Sequence, residues 1–284
     1  RLLAAGFWLI AANAFAADTI KIAHIDPLSG PFALTGESFA RHLDAVVDEI
    51  NAKGGVLGGT KLEMVHFDNK SSPQESGQML KQITDSGLRY RTQGAGSNNA
   101  HALSEAIAKH NSRNPDSSVL YMNFAAQDPA LTNDKCNFWH FRFDANVDMK
   151  LEALTNYSAR QKHIKRVYLR NQDYAFGQAV GKAAREMLNR KRPDIEIVGD
   201  DLHPLGKVKD FSPYIAKIKA SDAQAVITGN WEPDQTLLIK CNKESGTGGT
   251  YYTTNDHNAG STASMGASGA DHRPPAIPWH ANLG

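Results

Sequence analysis

Cysteine is scarce in this chain: its 284 residues include only Cys136 and Cys241. Two thiols so far apart form neither a dense disulfide scaffold nor a CxxC pair for zinc or redox chemistry, and the sequence leaves open whether they form a single bridge. The net charge is also close to zero: 31 Lys and Arg side chains nearly balance 30 Asp and Glu side chains and leave +1. Proteins that track phosphates usually carry a concentrated basic excess, so we expect no nucleic acid among the partners.

Long apolar runs are also nearly absent. The exception is residues 2–17, a stretch shorter than the roughly 20 residues that a membrane-spanning helix needs, and interrupted by Asn13. It ends in Ala14-Phe15-Ala16, the small-x-small pattern of a signal-peptidase site. We therefore expect residues 1–16 to be part of a signal peptide and the mature protein to be soluble and exported.

No cofactor or catalytic motif is complete. Residues 94–99, GAGSNN, begin like a dinucleotide fingerprint, but Asn99 occupies the third glycine position. The run also lacks the glycines of a hydrolase nucleophile elbow, since Ala95 and Asn99 stand two residues either side of Ser97. No GxxxxGK[ST] or HExxH motif occurs, and the 11 histidines show no ligand-pair spacing. We expect no cofactor, no metal site and no catalytic residues.

Short β-rich runs alternate with amphipathic helical stretches, which is the pattern of an α/β fold with a mainly parallel sheet. Because the alternation restarts near residue 144, we predict two similar lobes, each a mainly parallel sheet flanked by helices, with a ligand cleft between them. The N-terminal lobe is 17–143, the C-terminal lobe is 144–250, and 251–284 is a divergent segment. Residues 138–143, FWHFRF, predict a strand packed on both faces near the lobe junction. The other predicted strands are 20–25, 61–67, 119–124, 166–169, 195–198 and 225–228, and the helices include 36–52, 74–85, 99–110, 177–188, 211–219 and 234–244.

Loops that follow the strands are the candidate binding site, because small molecules sit at the carboxyl ends of strands in open α/β sheets. Ser97 lies near a helix start, where free backbone N–H groups and its hydroxyl can hold a carboxylate. An ammonium needs acceptors, which Asp173, Glu232 and the carbonyl of Ala125 offer. Phe32 and the loop aromatics can enclose an apolar side chain, where each buried methylene contributes about 0.8 kcal/mol. The predicted ligand-binding residues are Ser97, Asn98, Ala125, Ala126, Gln127, Asp173, Tyr174, Phe176, Asn230 and Trp231.

Each of these residues also has a structural explanation that the sequence leaves open. Ser97 can be a helix cap, the aromatics can belong to a core, and the acids can face water. The residue types alone do not decide between the two explanations.

Five separated segments stand out in order: IKIAHIDPLSGPFALTGE, INAKGGVLGG, FAAQDPALTND, NQDYAFGQA and VGDDLHPLGKVKDFSPYIAKIKASDAQAVITGNW. Together they resemble the periplasmic substrate-binding proteins of branched-chain amino-acid ABC transporters, of the Leu/Ile/Val-binding type. The resemblance spans residues 18–244. It implies a two-lobe type I periplasmic binding fold, a ligand held in the cleft, and delivery of the closed complex to a membrane permease.

The resemblance also implies particular contacts. Gln127 departs from the family, which often has a small hydroxyl residue there, and the family's acidic contact in the second lobe falls in the poorly matched residues 252–256. Family members continue beyond Gly284, so we expect 251–284 to be a truncated crossover segment. The ligand contacts carried onto matching positions are Ser97, Ala125, the aromatic position around Tyr174 and Phe176, and Trp231 or its neighbour Asn230.

These observations lead to one main hypothesis and two alternatives. The main hypothesis is a monomeric, non-enzymatic periplasmic receptor that captures a small amino acid, branched-chain or related, or an amide, and delivers it to the permease subunits of an ABC transporter. The first alternative is a ligand-sensing regulatory domain of the same fold. The second is a serine hydrolase that uses Ser97, which the incomplete elbow motif disfavours.

Overall fold

The computed structural model describes residues 19–255 and 265–266. Two sheets form its framework: a five-stranded sheet of order β2-β1-β3-β4-β5 and a four-stranded sheet of order β7-β6-β8-β9. Every strand pairing within them is parallel. The predicted α/β architecture of two similar lobes is therefore confirmed. The predicted signal peptide, 1–16, lies outside the described residues, as does most of the divergent segment.

In the first lobe each of the first three strands is followed by a helix. Ser72 begins one of these helices, because its side chain accepts a hydrogen bond from Glu75 N and Pro73 occupies the first turn. The strands are β1 (Ile20–Asp26), β2 (Leu62–Asp68), β3 (Tyr90–Gln93), β4 (Leu120–Asn123) and β5 (His140–Arg142), and the helices are α1 (Ala33–Ala52), α2 (Pro73–Asp85) and α3 (Ser97–Arg113).

The second lobe repeats this alternation. Asn146 caps its first helix by accepting a hydrogen bond from Met149 N at 2.9 Å. The strands are β6 (Arg166–Gln172), β7 (Glu196–His203), β8 (Ala225–Thr228) and β9 (Thr250–Thr253), and the helices are α4 (Val147–Ala159), α5 (Ala175–Lys191), α6 (Ser212–Ala220) and α7 (Asp234–Glu244).

Glycines near the start of α1 and α5 show how alike the two lobes are. A Cβ on Gly36 would overlap the carbonyl oxygen of Pro27, and a Cβ on Gly177 would overlap that of Gln172. In both lobes, then, a helix near its first turn packs directly against the backbone that leaves the preceding strand. Both helices begin two or three residues before these glycines, so the glycines allow close packing and do not open the helices.

The two lobes are packed against each other. Phe32, which follows β1 in the first lobe, belongs to the buried apolar cluster of the second lobe, together with Trp231 and Tyr174. The Phe32 and Trp231 ring centroids are 4.2 Å apart. Across the same boundary Asn98 Oδ1 accepts a hydrogen bond from Ala175 N at 3.2 Å. The lobes are therefore in a closed arrangement.

The prediction for residues 138–143 is wrong in part. The strand is only the three residues of β5, at the edge of the first sheet. His140 is buried, but Phe138, Phe141 and Phe143 are exposed. The exposure of these three rings shows that the segment is not packed on both faces.

Neither cysteine is bridged in the structure: Cys136 and Cys241 are both free thiols. Of the helices within the described residues, none is both long and apolar enough to cross a membrane.

Candidate functional site

A cleft lies where the carboxyl ends of the two sheets face each other. Both lobes contribute to its walls, and among the described residues none of the lining side chains is charged. It brings together seven of the ten predicted residues. The lining residues are Thr35, Phe39, Gly94, Ala95, Gly96, Ser97, Ala125, Ala126, Gln127, Tyr174, Phe176, Trp231 and Asn255.

The start of α3 supplies hydrogen-bond donors to the cleft. The first backbone bond of this helix runs from Ala100 N to Gly96 O, so the N–H groups of Ser97, Asn98 and Asn99 precede the helical pattern. Such groups, with the positive end of the helix dipole, form an anion site. Gly96 makes the turn possible because its φ of 87° lies in the left-handed region.

The Ser97 side chain is arranged to donate. Its Oγ accepts a hydrogen bond from Asp128 N at 3.2 Å, and the residue is almost completely buried beside the cleft. Because a hydroxyl has a single hydrogen, which this contact does not use, that hydrogen is available to a carboxylate.

The hydrolase alternative finds no support at Ser97. Among the described residues no histidine is hydrogen-bonded to its hydroxyl, and the nearest on the same helix, His101, is bonded to Asp128 Oδ2 at 2.6 Å. Burial is the largest influence on Asp128 and raises its pKa, but the hydrogen bonds from His101 and Ala130 N, together with nearby positive charge, lower the pKa of Asp128 below its usual value. The His101–Asp128 pair is thus satisfied within itself and is not a base for Ser97.

The loop after β4 forms a second wall of acceptors. Asn123 Oδ1 accepts hydrogen bonds from Ala125 N at 3.2 Å and Ala126 N at 2.7 Å, and Asn123 Nδ2 donates to the Ala126 carbonyl. This holds the loop in place but leaves the Ala125 carbonyl outside the hydrogen bonds found in the described part of the chain. Gln127 Oε1 is buried and likewise has no partner among those residues.

Aromatic side chains form the wall from the second lobe. Trp231 Nε1 donates to the hydroxyl of Tyr174 at 2.7 Å, and the Phe176 ring lies 5.9 Å from the Tyr174 ring. Burial raises the pKa of Tyr174 far above its usual value, so this residue is a neutral phenol. The wall is therefore largely apolar: the indole N–H of Trp231 is paired, and the Tyr174 hydroxyl accepts that bond while its own hydrogen is not used by it.

Three predicted residues do not line the cleft. Asn98 turns outward to the start of α5, as described above. Asp173 is exposed and accepts a hydrogen bond from Gln178 at 3.0 Å. Asn230 is buried behind the cleft, where its amide nitrogen lies 3.5 Å from His203 Nε2. Glu232, also proposed as an acceptor, is buried and receives a hydrogen bond from Thr35 Oγ1 at 3.5 Å across the lobes.

Thr35, Phe39 and Asn255 line the cleft although the sequence did not single them out. Asn255 follows β9, so the strand-end rule that found the other loops applies to it too. Its Nδ2 donates to the carbonyls of Gly229 at 2.8 Å and Asn230 at 3.3 Å, which leaves its amide oxygen as a further acceptor. Thr35 and Phe39 are one turn apart on α1, a spacing that places both on one face.

No group of three or more potential metal-ligating side chains occurs among the described residues. The cleft itself presents donors for an anion on one wall, neutral oxygen acceptors beside them, and a largely apolar surface opposite.

Comparison with known proteins agrees with this geometry. Residues 19–272 match the family described as periplasmic binding protein. The chain is 33% identical over 266 residues to Leu/Ile/Val-binding protein homolog 4 of Brucella abortus, covering 93% of this chain and 63% of that protein. The chain therefore spans less than two thirds of the length of this relative.

Solved structures show the same fold. The closed leucine-, isoleucine-, valine-, threonine- and alanine-binding protein of Brucella ovis superposes with a TM-score of 0.76 at 33% identity, covering 89% of this chain and 64% of that one. The isoleucine complex of LivJ from Streptococcus pneumoniae superposes with a TM-score of 0.76 at 23% identity, covering 90% and 70%. At that lower identity the likeness concerns the fold alone.

Proposed function

The chain belongs to the periplasmic binding protein family, and we propose that it is a non-enzymatic periplasmic receptor for a small amino acid, which it delivers to the permease of an ABC transporter. The observation that carries the proposal is the free hydroxyl and N–H donors at the start of α3, facing neutral acceptors and an aromatic wall inside one closed cleft. The names of the Brucella relatives support a branched-chain or small aliphatic amino acid.

The carboxylate of the ligand lies at the start of α3. Ser97 Oγ donates its hydrogen, and the N–H groups of the first turn add the positive end of the helix dipole. Because the lining residues include no arginine or lysine, these neutral donors are the ones that recognise the negative charge.

The ammonium lies against the acceptors beside it. The carbonyl of Ala125, Gln127 Oε1 and Asn255 Oδ1 are the candidates, and each is neutral. Hydrogen bonds that involve a charged partner are stronger than those between neutral groups. Three neutral oxygens can therefore hold an ammonium without a carboxylate in the cleft.

The aliphatic side chain packs against Tyr174, Phe176 and Trp231. Each methylene buried there contributes about 0.8 kcal/mol. Ligand that touches both walls stabilises the closed arrangement, because binding shifts the population toward the state in which both sets of contacts exist. The permease then recognises the closed form.

A thermal-shift series tests the proposal with ligands that differ by one group. The probes are L-leucine, 4-methylpentanoate, which lacks the ammonium, and L-leucinamide, which lacks the carboxylate. L-Leucine at 100 times its dissociation constant is expected to stabilise the protein by about 2.7 kcal/mol, and both truncated probes by less. Equal shifts with all three, or none with L-leucine, L-isoleucine, L-valine, L-threonine and L-alanine, would contradict the proposal.

The alternatives predict other results. A serine hydrolase would be labelled at Ser97 by a serine-directed phosphonate, whereas we expect no labelling, because no described histidine activates that hydroxyl. A regulatory sensing domain would bind ligand without productive interaction with a permease. Uptake of L-leucine by a reconstituted permease separates transport from sensing. Uptake that requires the closed complex favours transport.

A further inference from the structure

Two histidines and two aspartates form a network behind the ligand loop. His24 on β1 and His66 on β2 are register partners, so their side chains stand side by side on one face of the sheet. Their Nδ1 atoms are 2.9 Å apart. His24 Nε2 lies 2.8 Å from Asp26 Oδ2, and His66 Nε2 lies 2.9 Å from Asp44 Oδ1. The histidine–aspartate network thus runs from Asp44 on α1, at the surface, to the fully buried Asp26.

Counting hydrogens shows what this network requires. Its three hydrogen bonds need three hydrogens, and an ionised carboxylate supplies none. Two neutral imidazoles carry two hydrogens. With Asp26 and Asp44 as acceptors, the third hydrogen is an additional proton that lies between the two Nδ1 atoms. The two rings together therefore carry a single positive charge between two carboxylates.

Asp26 connects the network to the cleft. Its carboxylate accepts hydrogen bonds from Ala95 N at 2.7 Å and from Gly94 N at 3.0 Å. Gly94 and Ala95 line the cleft and stand immediately before the turn that leads to Ser97. A third contact, from Gln93 Nε2, is longer, at 3.4 Å. Asp26 therefore holds the segment that sets the position of the α3 donors.

Few other titratable groups face the network. Tyr121 on β4 donates to Gln93 Oε1, and burial together with the charge of Asp26 raises the pKa of Tyr121 well above its usual value. On β2, Asp68 shares the face of His66 but accepts from Leu28 N and Ser29 Oγ. On β3, Arg91 pairs with Ala23 and so points to the opposite face. From α1, Asp44 reaches the rings through its contact with His66, as described above.

We propose that His24 and His66 share one additional proton and act through Asp26 as positioning residues for the ligand loop 94–97, so that ligand affinity passes through a maximum with pH. The statement about affinity rests on the proposed function; the statement about the proton does not. If the rings gained a second proton, the Nδ1–H groups of His24 and His66 would face each other. If they lost the shared proton, the lone pairs of the two Nδ1 atoms would face each other. Either change removes one hydrogen bond and frees the His24 ring that supports Asp26.

Nitrogen-15 NMR of the ligand-free protein, labelled at histidine and at the backbone, tests the inference directly. We expect the two rings to respond to pH as a coupled pair, with one extra proton held between them at intermediate pH. The amide signals of Gly94 and Ala95 are expected to shift with the same midpoints. Two rings that titrate independently, or loop amides that ignore them, would overturn the proposal.

Variants separate positioning from a merely structural role. His66→Asn keeps a donor and an acceptor near His24 but removes the second ring, so the paired midpoints of the loop amides should be replaced by a single one. Asp44→Asn, at the exposed end, removes a negative charge and should move the loss of the shared proton to lower pH, which keeps the test available if His66→Asn does not fold. His163→Asn, an exposed histidine of the second lobe, is the control and should keep the wild-type profile.

The consequence for binding is measured with L-leucine by calorimetry across the pH range of the NMR titration. Affinity should fall about two- to tenfold on each side of its maximum, the worth of one hydrogen bond, and His66→Asn should replace the maximum with a single transition. A flat wild-type curve, with coupled rings, would overturn the positioning role. Absence of L-leucine binding, with coupled rings and shifting loop amides, would count against the proposed function and leave the shared proton supported.

Discussion

Replacement of Ser97 by alanine tests the assignment of the carboxylate site most sharply. The variant removes the hydroxyl hydrogen that is free to donate, but it keeps the backbone N–H groups at the start of α3. A hydrogen bond to a charged group is worth about 1.5–3 kcal/mol, so affinity for L-leucine should fall about 10- to 100-fold. The affinity for L-leucinamide, which has no carboxylate, should change much less.

The same substitution also has a stability cost. Asp128 N loses its acceptor, and an unsatisfied buried donor costs about 1–3 kcal/mol of unfolding free energy. Ser104→Ala is a matched control, because Ser104 is a buried serine two turns later on α3 whose Oγ accepts from Asn137 Nδ2. It should lower stability without changing affinity. Calorimetry of both variants decides: L-leucine affinity within twofold of wild type in Ser97→Ala would remove Ser97 from the site.

Three further predictions concern closure, pH and folding. Phe32→Ala removes the stack with Trp231, worth about 0.5–1.5 kcal/mol beyond burial; X-ray scattering should show a larger ligand-free radius of gyration, and an unchanged radius would contradict this role. The hydrogen bond from His101 lowers the pKa of Asp128, so this contribution to stability is present above the usual carboxyl range and is lost as pH falls. Urea unfolding of His101→Ala should therefore differ most from wild type near neutral pH and least below about pH 4, and a constant difference would refute it. Asn146→Ala should cost about 1 kcal/mol of unfolding free energy through loss of the α4 cap; an unchanged urea midpoint would show that the cap contributes nothing.

The order of strands and helices could be predicted because hydrophobic periodicity reflects which face of each element is buried. The residues at which helices begin were harder to predict from the sequence. Gly36 and Gly177 read as helix openings in the sequence, since glycine often interrupts regular structure. In the fold they lie inside the first turns of α1 and α5, where absence of a side chain lets the helix touch the backbone of the preceding loop. That requirement comes from tertiary packing and leaves no local signal.

The site was predictable to the extent that it follows strand ends. Ser97 and Tyr174 lie in loops that the parallel topology brings to the same edge, so the rule for open sheets placed them in the cleft. It did not separate Tyr174 from its neighbour Asp173, which faces solvent, because side-chain direction at the start of a helix depends on the turn that precedes it. Asn255 was missed because it follows β9, at the point where the sequence pattern becomes irregular.

The histidine–aspartate network was also beyond sequence reasoning. His24 and His66 are 42 residues apart in the sequence, and only the register of β1 against β2 sets their rings side by side. Scattered histidines in a sequence give no indication of such pairing.

A crystal structure of the protein grown with L-leucine would test the central claim most directly. The account predicts density for the amino acid between the lobes, with its carboxylate within hydrogen-bond distance of Ser97 Oγ and the first N–H groups of α3, and its side chain against Tyr174 and Trp231. A closed cleft without ligand at saturating L-leucine, or a carboxylate bound away from the start of α3, would contradict it.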